Sequence, residues 1–401
     1  MSTTQAPVST MKPPRASTNV VVWLRKNLFN GWLNSIITVV LVWGLAMVLY
    51  RFGRWALSEA FWAPIPANLR LFMVGRYPAE QLWRVQAALA LILALFGVSG
   101  GRWGGLLRAI ALGLLAATAL LALIPLGIAA QLFWLGMAAL IGAGYLLARR
   151  VALPRWPIIV LWLLSPFLCL LLIGGIDGSR LLPAVNSRDW GGLLLTIVLA
   201  VFPIVLSFPL GVLLALGRRS RLPVVKGFCV AYIETIRGVP LITVLYMGSL
   251  MLPLFINANP AAVTRAVVAL TLFSAAYLAE NVRGGLQAVP NGQIEAAKAL
   301  GLNVFQTTLL IVLPQALRAV IPAIVGQFIS LFKDTSLVAI IGLSELLGIA
   351  AFVWTQPQWL GTPGGVQREV LLFVALIYWI FCFSMFQLSR RIEQRLGVGT
   401  R

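Results

Sequence analysis

Apolar residues run in long stretches with few charges from Trp32 to Leu388, and the stretches are separated by short polar, Gly/Pro-rich or basic breaks. A helix needs about 20 apolar residues to cross the hydrocarbon core of a bilayer. Ten stretches come near that length: roughly 32–50, 82–99, 106–124, 128–148 and 157–175 in the first half, then 190–216, 226–254, 263–286, 316–350 (interrupted) and 370–389. The sharpest breaks are Arg149-Arg150, the Gly174–Gly178 segment, the Gly217–Arg221 segment and the Asn257–Pro260 segment. The pattern predicts an all-α integral membrane protein of about ten transmembrane helices. No internal repeat is visible.

Composition agrees. Of 401 residues, 60% are hydrophobic and only 10% charged, whereas soluble domains carry about 25% charged residues. That deficit excludes a water-facing surface and, with it, a soluble enzyme or binding module. The net charge of +20 would suggest nucleic acid in a soluble chain. In a membrane chain it is explained by Lys and Arg gathered in cytoplasmic loops, with no nucleic-acid partner. If both termini lie in the cytoplasm, twenty of the 31 Lys and Arg fall inside, nine outside and two within spans. The region between the first two spans, roughly 51–81, fits worst, since it holds Arg51, Arg54, Arg70 and Arg76. Residues 1–30 show no cleavable signal pattern and read as a retained, disordered cytoplasmic tail.

Candidate chemistry is sparse. Histidine is absent and Cys169, Cys229 and Cys382 lie far apart within apolar runs, which argues against a metal site, a cysteine–histidine nucleophile or a disulfide framework. None of the five lysines follows a glycine, so there is no phosphate-binding Gly-Lys loop. Charges inside spans are costly and therefore informative. Glu234 and Arg237 are three apart and can share a helix face, and Gly238 and Pro240 then interrupt the helix. They serve either as a gate or substrate contact, or as a structural ion pair at the end of span seven. Glu280 and Arg283 repeat the spacing near the end of span eight, where an interfacial pair is favoured. Lys333, Asp334, Thr335 and Ser336 break span nine. Such a break suits a discontinuous helix lining a cavity, or a neutralised structural pair. Ser344 and Glu345 extend the same polar surface.

The loop after span eight, 287–315, is unlike the others. It reads as a short helix opened by a Pro290-Asn291-Gly292 turn with Asn291 as cap, a break at Gly301, and a second helix stopped near Pro314. Ala296, Ala297 and Ala299 leave a surface nearly bare of side chains, Glu295 puts a negative charge near a helix start, and Gly301 permits a left-handed backbone.

Glu295, Ala296, Ala297, Gly301, Ile311, Leu313 and Pro314 fill every specified position of EAA-x3-G-x9-I-x-LP, and the loop thus resembles the coupling motif of permease subunits of ATP-binding-cassette importers. Residues from about Gly191 to Leu396, including ETIRGVP (234–240), AYLAENVRGGL (276–286) and SLFKDTSL (330–337), resemble the permeases for polar amino acids of the histidine/glutamine/arginine type. The added spans ahead of that half resemble the long permease of general L-amino acid uptake systems.

The resemblance implies a five-helix type I importer core at 190–396 with its coupling loop at 287–315, preceded by an extension of about five spans at 31–176. It also implies the setting: a bacterial inner membrane, two permease subunits (in the extended type, two different chains), ATPase subunits carrying ATP and Mg, and a periplasmic amino-acid-binding protein. This chain itself would bind no cofactor and would not be an enzyme. Glu295 and its neighbours would dock in a cleft of the ATPase. A self-sufficient, ion-gradient-driven amino acid transporter is the alternative; it calls for repeated halves and several deep acids, and only Glu234, Asp334 and Glu345 qualify.

Overall fold

A computed structural model describes residues 20–397 apart from 126, 152 and 257–259, and these are helical almost throughout. Residues 1–19 of the expected tail lie outside the described residues. Among the described residues there is no strand, only three isolated bridges. Nine helices there are long and apolar enough to cross a membrane, ten if one bent pair counts as a span.

The chain divides into two compact units, Met1–Phe61 and Trp62–Arg401. In the first, α1 (Val20–Asn27) shows that the end of the expected tail is helical. Helix α2 (Trp32–Arg54) continues into a π-helical turn, Trp55–Glu59, closed by an Arg54–Glu59 ion pair of 2.8 Å. No side chain of α2 is buried. It is apolar on all sides, as a helix solvated by lipid should be.

The second unit opens with α3 (Pro64–Ala67) and α4 (Leu69–Val74). Four spans follow: α5 (Leu82–Trp103), α6 (Gly105–Leu123), α7 (Ile128–Arg150) and α8 (Arg155–Gly174), with α5 against the other three. Ala88, Gly97, Ser99 and Gly100 are buried along α5. Small side chains let backbones approach where hydrophobicity cannot drive helices together.

Helix α9 (Gly192–Arg218) packs along α13 (Ala262–Ala288), which in turn packs on α16 (Leu313–Asp334). Between α9 and α13 come α10 (Pro223–Gly238), α11 (Leu241–Tyr246) and α12 (Leu252–Ile256). The expected single span 226–254 is instead bent by 107° between α10 and α11. Val239 is extended (φ −110°, ψ 136°) because the following Pro240 excludes the helical region for it, and Pro240 itself leaves the helix at ψ 141°. The interruption expected from Gly238 and Pro240 is therefore present, and sharper than a kink.

After α13 come α14 (Asn291–Ala299) and α15 (Val304–Gln306), then a π-helical stretch, Thr307–Val312, that runs directly into α16. The chain ends with α17 (Leu346–Trp354), α18 (Pro357–Leu360) and the long α19 (Gln367–Leu396). Span nine thus runs from Val304 to Ile341. It does not reach 350, because Gly342 turns left-handed (φ 83°) and ends it.

Within the second unit, part of the connection expected at 51–81 belongs to the core. Phe72 is wholly buried with Leu346, Ile349, Val353, Val370 and Val374. Its apolar run, Leu71–Val74, is too short to register as a span and so escaped the length criterion. Gly192 allows the approach: at φ 58° a side chain there would be strained, and its Cβ would collide with the Phe72 carbonyl.

Candidate functional site

The loop from α13 to α16 has the expected helix and glycine break, but Glu295 is the fifth residue of α14, beyond the first turn where it was expected. Pro290, not Asn291, is the N-cap of α14, and Asn291 is its first residue with no capping bond. At the far end Gly301 adopts φ 79° in open space, and Leu302 N–H donates back to the Ala297 carbonyl at 3.1 Å. Asn303 then starts α15 through a capping box with Gln306 (2.8 and 3.0 Å). Glu295 and Ala296 are exposed, whereas Ala297 is buried and faces inward. Gln315 donates to Gln293 at 3.3 Å, holding α16 to α14. The second helix does not stop at Pro314, which occupies the first turn of α16. The π-helical turn before it, with Leu313 N–H bonded to Thr308, widens the helix where proline has no N–H to give. Ile311 and Leu313 are half-buried on this continuous helix and Pro314 is exposed.

Glu234 and Arg237 do not pair with each other. Glu234 meets Arg218 of α9 at 2.8 Å, and Arg237 meets Glu280 of α13 at 3.8 Å. Glu280 also takes Arg218 at 3.5 Å and is hydrogen-bonded by Arg283. Three arginines and two glutamates from α9, α10 and α13 thus form one network with Glu280 at its centre. Arg237 lies over the Tyr277 ring, 5.6 Å from its centroid.

At the break in span nine, α16 ends at Asp334 and a 3₁₀ segment, Thr335–Ile341, replaces it. Among the described residues no ion pair joins Lys333 to Asp334. The Thr335 and Ser336 hydroxyls donate to the Phe332 and Lys333 carbonyls at 2.7 and 2.8 Å, so both are turned onto their own helix. Lys333, Ser336 and Tyr378 line a hollow of about 350 Å³. Glu345, in the connection between the last two spans, is wholly buried and caps α17 by accepting from Leu347 and Gly348 N–H at 2.8 and 2.9 Å. Burial pushes its carboxyl up to about 7 against the pull of those amides.

The inner membrane amino-acid ABC transporter permease protein YhdY of Escherichia coli (strain K12) is 38% identical to this chain over 408 residues, covering 96% of this chain and 97% of its own length. The chain belongs to the amino-acid ABC transporter permeases. The glutamate/glutamine/aspartate/asparagine transport system permease protein BztC of Rhodobacter capsulatus is 37% identical over 446 residues, covering 96% and 95%. Residues 207–398 match the family described as binding-protein-dependent transport system inner membrane component. A solved structure described as an amino acid ABC transporter with histidines is 31% identical, with a TM-score of 0.46 over 51% of this chain and 92% of that one.

Two polar knots of this permease were not foreseen from sequence. Arg84, at the start of the expected span 82–99, is wholly buried and donates to Gln81 Oε1 (2.5 Å) and to the Leu172 (2.6 Å) and Pro183 (2.8 Å) carbonyls. Tyr77 donates to the Ile173 carbonyl at 2.8 Å. Together they tie the start of α5 to the end of α8 and the connection beyond. The second knot is the approach of Tyr378 to Glu345 at 3.0 Å. An arginine one turn inside an apolar run was the available signal for the first; for the second there was only Glu345 itself.

Proposed function

We propose that this permease subunit imports polar or general L-amino acids with energy from ATP hydrolysed on a separate ATPase chain, through the loop 287–315. The observation that carries the reading is α14 with its left-handed Gly301, set beside exposed Glu295 and Ala296. Leu300, Val304 and Phe305 stand next to it, 81%, 71% and 72% exposed. Apolar side chains so exposed beside a charge are what a docking surface offers a protein partner. Ile311, Leu313 and Pro314 continue the helix that would carry movement of α14 into span nine.

Both termini lie in the cytoplasm on this reading, with residues 1–30 as tail, 31–176 as extension and 190–396 as core. ATP and Mg are held by the ATPase. The second permease is a different chain, and a periplasmic binding protein delivers the substrate. The substrate class follows the printed name of the Rhodobacter capsulatus relative, a transport system for four amino acids with acidic or amide side chains. The network of Glu234 and Arg237 with Glu280, next to the Gly238–Pro240 bend, serves as the inner gate. Lys333 and Ser336, on the wall of the hollow beside Tyr378, belong to the pathway with Asp334 next to them, and the wholly buried Thr335 holds the broken segment to Tyr378.

The test is reconstitution of the chain with its ATPase and partner permease in proteoliposomes, reading ATP hydrolysis and uptake of a labelled amino acid panel with and without binding protein. Stimulation by loaded binding protein that is lost in Glu295→Lys supports the reading. ATP-independent uptake by this chain alone overturns it.

A further inference from the structure

Between the end of α9, the turn 219–222 and the α14–α15 loop lies a cavity of about 850 Å³, inside the range of sites that hold small molecules. Arg219, Arg221 and Lys298 line it, and no acidic side chain does. Among the described residues none of the three has a carboxylate within 4 Å. Arg219 donates to the Leu286 carbonyl at 3.2 Å, which fixes its guanidinium at the cavity. The rest of the wall is mostly apolar, with Leu222 at the rim 64% exposed and Val312 buried, and Ser220 and Thr308 add two hydroxyls. Thr307, also on the wall, is only 5% exposed, and its hydroxyl has no hydrogen-bond partner. A buried hydroxyl left unpaired costs stability unless something fills its place.

We propose that this cavity binds one anionic phospholipid. The phosphodiester is held by Arg219, Arg221 and Lys298, Thr307 donates to a headgroup or ester oxygen, and the upper acyl chains lie on the apolar wall. A basic pocket opening beside apolar helix surface matches an amphiphile with a negative head, and unlike a soluble anion the amphiphile also satisfies the wall. The inference rests on the reading of loop 287–315 as the coupling loop, which puts the cavity at the cytoplasmic ends of spans six and eight. A lipid wedged there would brace α14 against α9.

The test uses delipidated full-length chain in detergent, titrated with phosphatidylglycerol, phosphatidylcholine or inorganic phosphate and read by native mass spectrometry. Phosphatidylglycerol should bind in preference to phosphatidylcholine. Its affinity should fall about fivefold for each arginine neutralised in Arg219→Gln and Arg221→Gln, the worth of one basic side chain at an anionic surface. Arg180→Gln, an exposed arginine elsewhere, should leave it unchanged. If loss of the Leu286 contact unfolds Arg219→Gln, then Arg221→Gln and Thr307→Val carry the test. Equal binding of the two lipids, or binding indifferent to Arg221→Gln and Thr307→Val, overturns the proposal. Displacement by inorganic phosphate overturns it in favour of a free-anion site. Unchanged lipid binding with loss of ATPase capture in Arg221→Gln overturns it in favour of a protein contact. Lipid binding is read without ATP or ATPase, so it can fail while coupling stands, and coupling fails separately in Glu295→Lys.

Discussion

Tyr378 of α19 donates its hydroxyl to Oε2 of Glu345 across 3.0 Å, and the same carboxylate caps α17. Thr335 Oγ1, at the break in span nine, lies 3.3 Å from the Tyr378 hydroxyl, and Thr196 of α9 accepts from Leu346 N–H at 3.1 Å. One buried acid therefore fastens α17 to α19, with the broken segment and α9 joined to the same cluster. Glu345→Ala removes the acceptor of two amides and a phenol and should destabilise the chain by ~2–4 kcal/mol, whereas Tyr378→Phe should cost only ~1 kcal/mol. Thermal unfolding in detergent, with the double variant to measure coupling, checks both.

The same residue predicts a pH dependence. Its folded carboxyl titrates near 7, above the ordinary glutamate value of 4.5, because burial disfavours the charge. Between those values the folded chain holds a proton that the unfolded chain has released. Stability should therefore fall as pH rises from about 4.5 to about 7 and level off above, by on the order of 3 kcal/mol. Glu345→Gln should flatten the melting temperature over that interval; an equally steep fall in the variant would assign the effect elsewhere.

Glu280 serves three arginines, so its loss should exceed that of Glu234, whose side chain is 54% exposed. Glu280→Gln should cost ~2 kcal/mol and Glu234→Gln under ~1 kcal/mol. Glu280→Gln and Arg283→Gln should be strongly non-additive in melting experiments, since each removes the other's partner.

Two glycines with positive φ should respond differently. Gly301→Ala meets nothing in open space and should lose only the ~1 kcal/mol of left-handed strain, with Asn better tolerated. Gly192→Ala adds a collision with the Phe72 carbonyl and should prevent accumulation of folded chain. Expression in membranes and melting temperature separate the two.

Phe72→Ala tests whether the segment 69–74 belongs to the core. A cost of ~3–5 kcal/mol is expected for a fully buried phenylalanine. A surface connection would lose under ~0.5 kcal/mol.

Much of this was legible in the amino-acid order. Apolar run length alone specifies crossing helices, because lipid offers backbone groups no other partner. The Gly238–Pro240 break and the left-handed Gly301 were legible too, since proline and glycine act on their own backbone and immediate neighbours. Seven motif residues at fixed spacing carried the family resemblance. What needed tertiary structure was partnership. Glu234 and Arg237 share a helix, yet each finds its partner on another one, because α9 and α13 bring Arg218 and Glu280 within reach. Arg84 was only a charge at the start of a span until α8 and the following connection supplied carbonyls to bury it. Leu71–Val74 could pass for a connection until α17 and α19 enclosed Phe72. Local conformation follows from each residue and its neighbours in sequence. Which buried charge meets which counter-charge follows from helix packing, and that was decided only in three dimensions.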